Sequence, residues 1–409
     1  VTGSQRGPLD LRLLLSAVED APPIAAAEVF AATLAAAVGA RDVSFLIADY
    51  SGRSLVRLSH VSRGQDAAAP DRERGQAVSL NGTPHGRALA EQRVAVVAED
   101  AGARVFAPVS SRGEAVGVLE LRLPAMPDAA TVDDIATAAH ALAFVVIASR
   151  RFTDLYEWGQ RSVPLSLEAE IQHRLLPGSY TCEGAQFTLA GWLEPAGEVG
   201  GDTFDFSLER DTLHLSMTDA MGHTLDASLL ATVLVGALRN ARRRGLGLAE
   251  QARLADEELA GYATDGAFVT GQLVRVDLAS GAAHIVNAGH PPPLRVRDGQ
   301  TTAVPLHADR PFGLGTDRGY RVQALELEPG DRLVFLTDGM LERNAARIDV
   351  ASLLARLRPL HPRETVQELT RAVVDACGGA LRDDATVLCF DWHGGTPRDR
   401  PASYGADHR

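Results

Sequence analysis

The chain has 409 residues, 45% of them hydrophobic and 23% charged, the make-up of a soluble globular protein with room for two ordinary domains. Its net charge of −13 argues against nonspecific nucleic-acid binding and against docking on an anionic membrane. All 40 basic residues are arginine, a bias that points to a GC-rich coding sequence and carries no chemistry of its own. The three cysteines, Cys182, Cys377 and Cys389, are odd in number and lack metal-type spacing, so a reduced, cytoplasmic setting is expected. The N-terminus opens on Val1 without a basic-then-apolar leader. The most apolar run, residues 139–148, is too short to span a bilayer and reads as a buried helix.

Residues 1–8 are polar. Residues 9–38 carry two helical patterns, LRLLLSAVED and AEVFAATLAAAVG, the second closed by Gly39 as a C-cap. VSFLIADY and SLVRLSHVS read as strands joined by a Ser51-Gly52 hairpin signal. A polar loop around 63–76 leads to a helix over 82–92 and the short strand VAVVA. RVFAPVSSRGEAVGVLELRL reads as two antiparallel strands about a Ser-Ser-Arg-Gly turn, and a long helix over 131–158 closes the unit. The FAPVSSRGEAVGVLEL segment resembles the last hairpin of a GAF domain, so residues 1–150 are expected to form a GAF-like α/β sensor domain. No cysteine precedes Cys182, which excludes a thioether-linked bilin. His60, His85 and His140 are isolated and read as surface or core histidines, so the small ligand or signal of this domain is left open.

Residues 151–177 are expected to be a helical linker. FTDLYEWGQ continues the closing helix, Pro164 interrupts it, and LSLEAEIQHRLLP forms another amphipathic helix. Such a pair commonly packs on itself, burying Leu155, Leu167 and Ile171 in a homodimer, with a passive spacer as the alternative. Strands are expected over 188–194 and 203–217, then a long helix over 225–244 and a second over 249–262. FVTGQLVRVDL and AAHIVNAGH follow as strands about Ala279-Ser280-Gly281, and RVQALEL and DRLVFLT about Glu328-Pro329-Gly330. Helices over 349–358 and 364–377 precede a last strand, DATVLCFDW. This order predicts two stacked sheets flanked by helix pairs over 178–392, an α+β class for the whole chain. Residues 393–409, rich in Gly, Pro, Arg and Asp, are expected to be a disordered tail.

Acidic residues stand at the edges of these strands: Asp202 in VGGDTFDF, Asp219 in TDAMGH, Asp338 in FLTDGM, and Asp383-Asp384 in RDDATV. Any one alone reads more readily as a turn residue. Held together at strand ends they raise one another's pKa unless a cation sits among them, and hard divalent cations with oxygen ligands suit that place.

VGGDTFDF, DAMGH, NAGHPPPL, PFGLG, LEPGDRLVFLTDGMLERN and DDATV occur in this order between residues 199 and 387. The series resembles the SpoIIE-type serine/threonine phosphatases, the bacterial branch of the metal-dependent (PPM) protein phosphatases, over roughly 167–392. The resemblance implies an α-β-β-α sandwich, two Mn²⁺ or Mg²⁺ ions, and an activated water attacking phosphoserine or phosphothreonine. It makes Asp219 the ligand bridging both ions, puts the Ala220 carbonyl on one, and Asp338 and Asp383 on the other. Asp202 would complete the catalytic and metal-binding set by orienting metal-bound water. Asp205 and Asp384 receive no definite role. The implied substrate is a phosphorylated anti-anti-sigma (STAS-type) protein of a partner-switching pathway, with output set by the GAF-like domain.

The chain also departs from relatives. Met221 stands where eukaryotic type 2C enzymes place a histidine, and residues 195–202 hold no phosphate-binding arginine. His223 is followed by Thr224 where most SpoIIE-type sequences have glycine; Thr224 reads as an alternative N-cap. His290 is expected to be structural. Two other functions fit the same residues: a phosphatase fold that has lost turnover and only captures a partner, and a small-phosphoester hydrolase.

Overall fold

The computed structural model describes residues 9–62, 75–162, 165–195, 200–222, 225–263, 266–316, 318–341, 348–378, 381, 383–396 and 402–407. The chain divides into two units, Val1–Pro164 with Pro401–Arg409, and Leu165–Arg400.

In the N-terminal unit, helices α1 (Leu11–Glu19) and α2 (Ala26–Val38) precede six strands. These are β1 (Asp42–Ala48), β2 (Ser54–Ser62), β3 (Ala77–Ser79), β4 (Ala95–Glu99), β5 (Gly102–Ser111) and β6 (Glu114–Leu123). They form one antiparallel sheet in the order β3-β2-β1-β6-β5-β4. Helix α3 (Pro84–Glu91) covers one face, packing Ala88 and Leu89 on Leu46, Phe106 and Val118. Helix α4 (Ala129–Ser149) covers the other with α1 and α2, and Phe30, Leu34, Ile135, Leu142 and Val146 meet Phe45 and Val105 there. By length and composition α4 is the one helix among the described residues able to cross a membrane, but this core takes up its inner face. His85 pairs with Glu120 at 3.1 Å and His140 with the Ser110 carbonyl at 2.8 Å; nothing is described of the His60 side chain.

The single helix expected over 131–158 is two. Helix α4 stops at Ser149, and α5 (Leu155–Gly159) restarts where the Thr153 hydroxyl accepts the Leu155 N–H. The expected linker 151–177 is likewise divided. Helix α5 belongs to the N-terminal unit, with Tyr50 donating to Glu157 at 3.0 Å, whereas α6 (Leu167–Leu175) belongs to the C-terminal unit. Leu155 packs on the N-terminal core and Ile171 is half-buried, so only Leu167 of the three expected dimer positions is exposed. The expected disordered tail contains a hairpin over residues 402–407.

The C-terminal unit holds two antiparallel sheets. After β7 (Thr181–Glu183) and β8 (Phe187–Glu194), the run expected as one strand is the hairpin β9 (Asp202–Leu208) and β10 (Thr212–Ala220). Helices α7 (Leu225–Arg243) and α8 (Leu248–Tyr262) follow, then β11 (Val269–Asp277), β12 (Ala283–Ala288), β13 (Leu294–Arg297) and β14 (Gln300–Ala303). The unit ends with β15 (Gln323–Leu325), β16 (Arg332–Leu336), α9 (Val350–Leu357), α10 (Pro362–Ala376) and β17 (Ala385–Trp392). The sheet orders are β15-β12-β11-β10-β9 and β14-β13-β16-β17-β8-β7. Period-two alternation sends Phe204, Leu215, Met217 and Val274 of the first sheet against Leu189, Phe335, Leu388 and Phe390 of the second. The opposite faces pack on α7 and α8, and on α9 and α10, giving four layers, α-β-β-α.

One buried ion pair fastens the outer layer of the second sheet. Arg332, fully buried and directly across from Asp391, donates to both its carboxylate oxygens at 2.6 and 2.9 Å. Its other N–H groups reach Thr365 Oγ1 and the Leu357 and Leu360 carbonyls. Asp391→Asn should therefore lower the stability of this unit by about 3–5 kcal/mol, the usual cost of stranding a buried charge. Arg332→Met with Asp391→Leu, which removes both charges, should cost much less. The urea midpoints of the two variants check this.

Candidate functional site

Asp202 and Asp219 are directly opposite each other in the β9–β10 register, at the end of the first sheet. Parity puts them on the inner face with Phe204 and Met217. The second sheet brings its own ends to the same place. β16 runs out into Thr337 and Asp338, and β17 starts after Asp383 and Asp384. The Thr386 N–H donates to Thr337 Oγ1 at 3.0 Å, which fixes that hydroxyl. The Thr337 and Thr386 hydroxyls then both donate to Asp202 Oδ2 at 2.7 Å. A carboxyl of one sheet, 2% exposed, is thus held by two hydroxyls of the other.

Helix α6 closes this end. Ser166 caps it, accepting the Ala169 N–H, and presents Gln172 on the buried stripe three residues after Ala169. Gln172 Nε2 donates to the Asp202 carbonyl at 2.8 Å and to Asp384 Oδ2 at 2.5 Å, and the Gly201 N–H reaches the same Asp384 oxygen at 3.3 Å. Gly339 is needed for close approach, not for a turn: a Cβ there would lie 2.0 Å from the Asp384 carbonyl oxygen.

The electrostatics follow from this crowding. Burial first, then the charges of Asp219 and Asp384, push the Asp202 carboxyl well above the usual range, against the pull of its threonine donors. Burial first, then Asp338, Asp383 and Asp384, push Asp219 up to about 8, opposed by a hydrogen bond with Asp202. The charges that raise Asp219 are the carboxylates of Asp338, Asp383 and Asp384, and such hard oxygen donors suit a divalent cation. No three of these side chains close on a single point among the described residues. The donor chemistry fits the ions; a closed ligand shell is not formed.

The residues singled out in the sequence sort clearly. Asp202, Asp219 and Asp384 are brought together with Asp338, which is exposed, and Asp383, which is half-exposed and accepts the Asp384 N–H at 2.9 Å. Ala220 is buried and ends β10 beside them. Asp205 faces away, held by Arg239 at 3.0 and 3.1 Å and by Arg242 at 3.1 Å, so it ties β9 to α7. His290, which burial pushes down to about 4, is a neutral imidazole with Nδ1 2.9 Å from Thr270 Oγ1, and Asn287 Oδ1 accepts the His290 backbone N–H. His223 and Thr224 lie outside the described residues. Gln172 was not anticipated.

The family described as Stage II sporulation protein E (SpoIIE) matches residues 209–393. The chain is 23% identical over 215 residues to phosphoserine phosphatase RsbP of Bacillus subtilis, covering 51% of this chain and 52% of that protein. It is 20% identical over 230 residues to phosphoserine phosphatase RsbU of the same organism, covering 55% and 68%. The solved RsbU and RsbW domains of a Mycobacterium tuberculosis protein are 27% identical with a TM-score of 0.47, over 52% of this chain and 62% of that one. The family match falls within the C-terminal unit, whose α-β-β-α layering is the fold that the SpoIIE-type resemblance implies. The chain spans about half the length of RsbP and about two thirds of RsbU.

Folded Asp219 keeps its proton to about pH 8, whereas an unfolded aspartate releases it near 3.8. Between those values the folded state binds more protons, so stability without divalent cations falls as pH rises through that window. Asp219→Asn should raise the Tm of the cation-free chain at pH 8 by roughly 2–4 °C, the size of a 1 kcal/mol relief in a unit this large. The same variant should lose the Tm gain that Mn²⁺ gives the parent chain. Thermal melts with Mn²⁺ and with chelator test both.

Proposed function

We propose that the chain is a divalent-cation-dependent protein serine/threonine phosphatase. The observation that carries this is the Asp202–Asp219 pair at the sheet ends, where the carboxylates of Asp338, Asp383 and Asp384 converge on Asp219 and raise its pKa. Asp219, the Ala220 carbonyl, Asp338 and Asp383 would hold two Mn²⁺ or Mg²⁺ ions. Bound there, such ions supply the charge that polarises a phosphoryl group and the acidity that activates water. Asp202, pinned by Thr337 and Thr386, fixes where Asp219 sits and takes up or releases a proton beside it. Asp384, buried and held by Gln172 and Gly201, positions the turn carrying Asp383.

The substrate class is a phosphoserine or phosphothreonine protein, in line with relatives named phosphoserine phosphatases. A phosphorylated anti-anti-sigma (STAS-type) protein of a cytoplasmic partner-switching pathway is the partner that the family resemblance favours. The N-terminal unit is taken as a GAF-like sensor for a small signal. A homodimer would use the exposed Phe144 and Ile147 of α4 and Leu13 and Leu15 of α1, since two of the three linker positions are half-buried.

The purified chain should hydrolyse p-nitrophenyl phosphate and a phosphorylated STAS-type protein with Mn²⁺, and stop with chelator. Asp219→Asn should cut turnover by several orders of magnitude, and Asp383→Asn should weaken Mn²⁺ affinity more than Asp384→Asn. Gln172→Ala should cost about tenfold or more in turnover, roughly 1.4 kcal/mol of barrier. Equal rates in excess chelator would overturn the metal chemistry. Binding of the phosphoprotein without turnover would leave the binding-protein alternative standing.

A further inference from the structure

The N-terminal unit is completed by the far end of the chain. Residues 402–407 form the hairpin β18 (Ala402–Ser403) and β19 (Ala406–Asp407), with only two residue pairs, Ala402 with Asp407 and Ser403 with Ala406. Its turn residues, Tyr404 and Gly405, have φ of 55° and 100°, both left-handed as a type I′ turn requires. A two-stranded hairpin this short is not stable in water by itself. What holds it is the surface beneath.

That surface is the β5–β6 turn together with α4. The turn is itself left-handed at Arg112 and Gly113, with φ of 53° and 80°. The Gly113 N–H donates to the Gly405 carbonyl at 2.9 Å, so the two turns meet backbone to backbone. Below them, His140 Nδ1 lies 2.8 Å from the Ser110 carbonyl, to which it donates, and the pair forms the floor of the contact. The fit there leaves no room for a side chain. A Cβ on Gly405 would lie 2.1 Å from the Ser110 oxygen and 2.5 Å from His140 Nδ1. Ala406 and Asp407 are buried. None of these residues takes part in the acidic site.

We propose that the β5–β6 turn and His140 form a docking site for a glycine-turned hairpin, and that its resident ligand is this chain's own C-terminal segment. The site reads backbone shape: a carbonyl placed for the Gly113 N–H, and a glycine where any side chain would strike the floor. With the hairpin docked, residues 402–407 belong to the N-terminal unit. Undocking would free this segment from the β5–β6 turn and α4.

Hydrogen exchange tests this without any measurement of activity. In full-length Gly405→Val the added side chain meets the floor and strains a positive φ, so the Gly113 amide should exchange about tenfold faster or more. A synthetic peptide of residues 401–409, added to that variant, should restore slow exchange saturably, and the same peptide carrying Gly405→Val should not. In the unmodified chain the peptide at millimolar concentration, comparable to a tether's effective concentration, should compete and speed exchange within residues 402–407. Unchanged Gly113 exchange in the variant would overturn the proposal. So would a peptide without effect on either chain.

Discussion

The carboxyl of Asp202 is the point at which the two sheets of the C-terminal unit are fastened at their functional end. It belongs to the first sheet, yet its oxygen receives the hydroxyls of Thr337 and Thr386 from the second. Thr337 is fixed in turn by the Thr386 backbone, so both donors are held on the second sheet. Asp338 and Asp383–Asp384 flank these threonines in sequence, and Asp219 faces Asp202 across the hairpin. Locking the threonines on Asp202 therefore fixes the separation of all the acids. The hydrophobic layer between the sheets sets their spacing, and this polar clasp sets their register at the end where chemistry is expected.

The clasp gathers like charges in a place with little water. Burial and mutual repulsion hold protons on Asp202 and Asp219, and that is a cost in stability the fold carries for an acidic cluster. Elsewhere the unit behaves differently. Asp205 and Asp391, equally buried, are each met by arginines within about 3 Å. At Asp202 and Asp219 the acting neighbours are instead other carboxylates.

Much of this was legible in the sequence because each acid borders an apolar, period-two run, and strand ends are fixed by the sheets they belong to. Other features need partners that periodicity does not reveal. Asp205 stands three residues from Asp202, an odd step that turns it to the opposite face of β9, but its arginines lie a helix away. Gln172 sat in a helix read as linker, since a glutamine in an amphipathic segment looks like solvent face. Its spacing from Ala169, with Leu176 beyond, marks it as a polar residue on the buried stripe, and that signal was available. The terminal hairpin was hidden because two pairs about Tyr404-Gly405 carry no strand pattern, and a composition rich in Gly, Pro, Arg and Asp reads as a tail.

The most direct measurement is the number of protons released when Mn²⁺ binds, obtained by calorimetry at pH 7 in buffers of different ionisation enthalpy. If the clasped carboxyls keep their protons until a cation arrives, binding should expel protons at pH 7 and expel fewer at pH 9. Asp219→Asn should reduce the release. Mn²⁺ binding with no proton release at pH 7 would contradict the account, because the acids would then already be ionised without the metal.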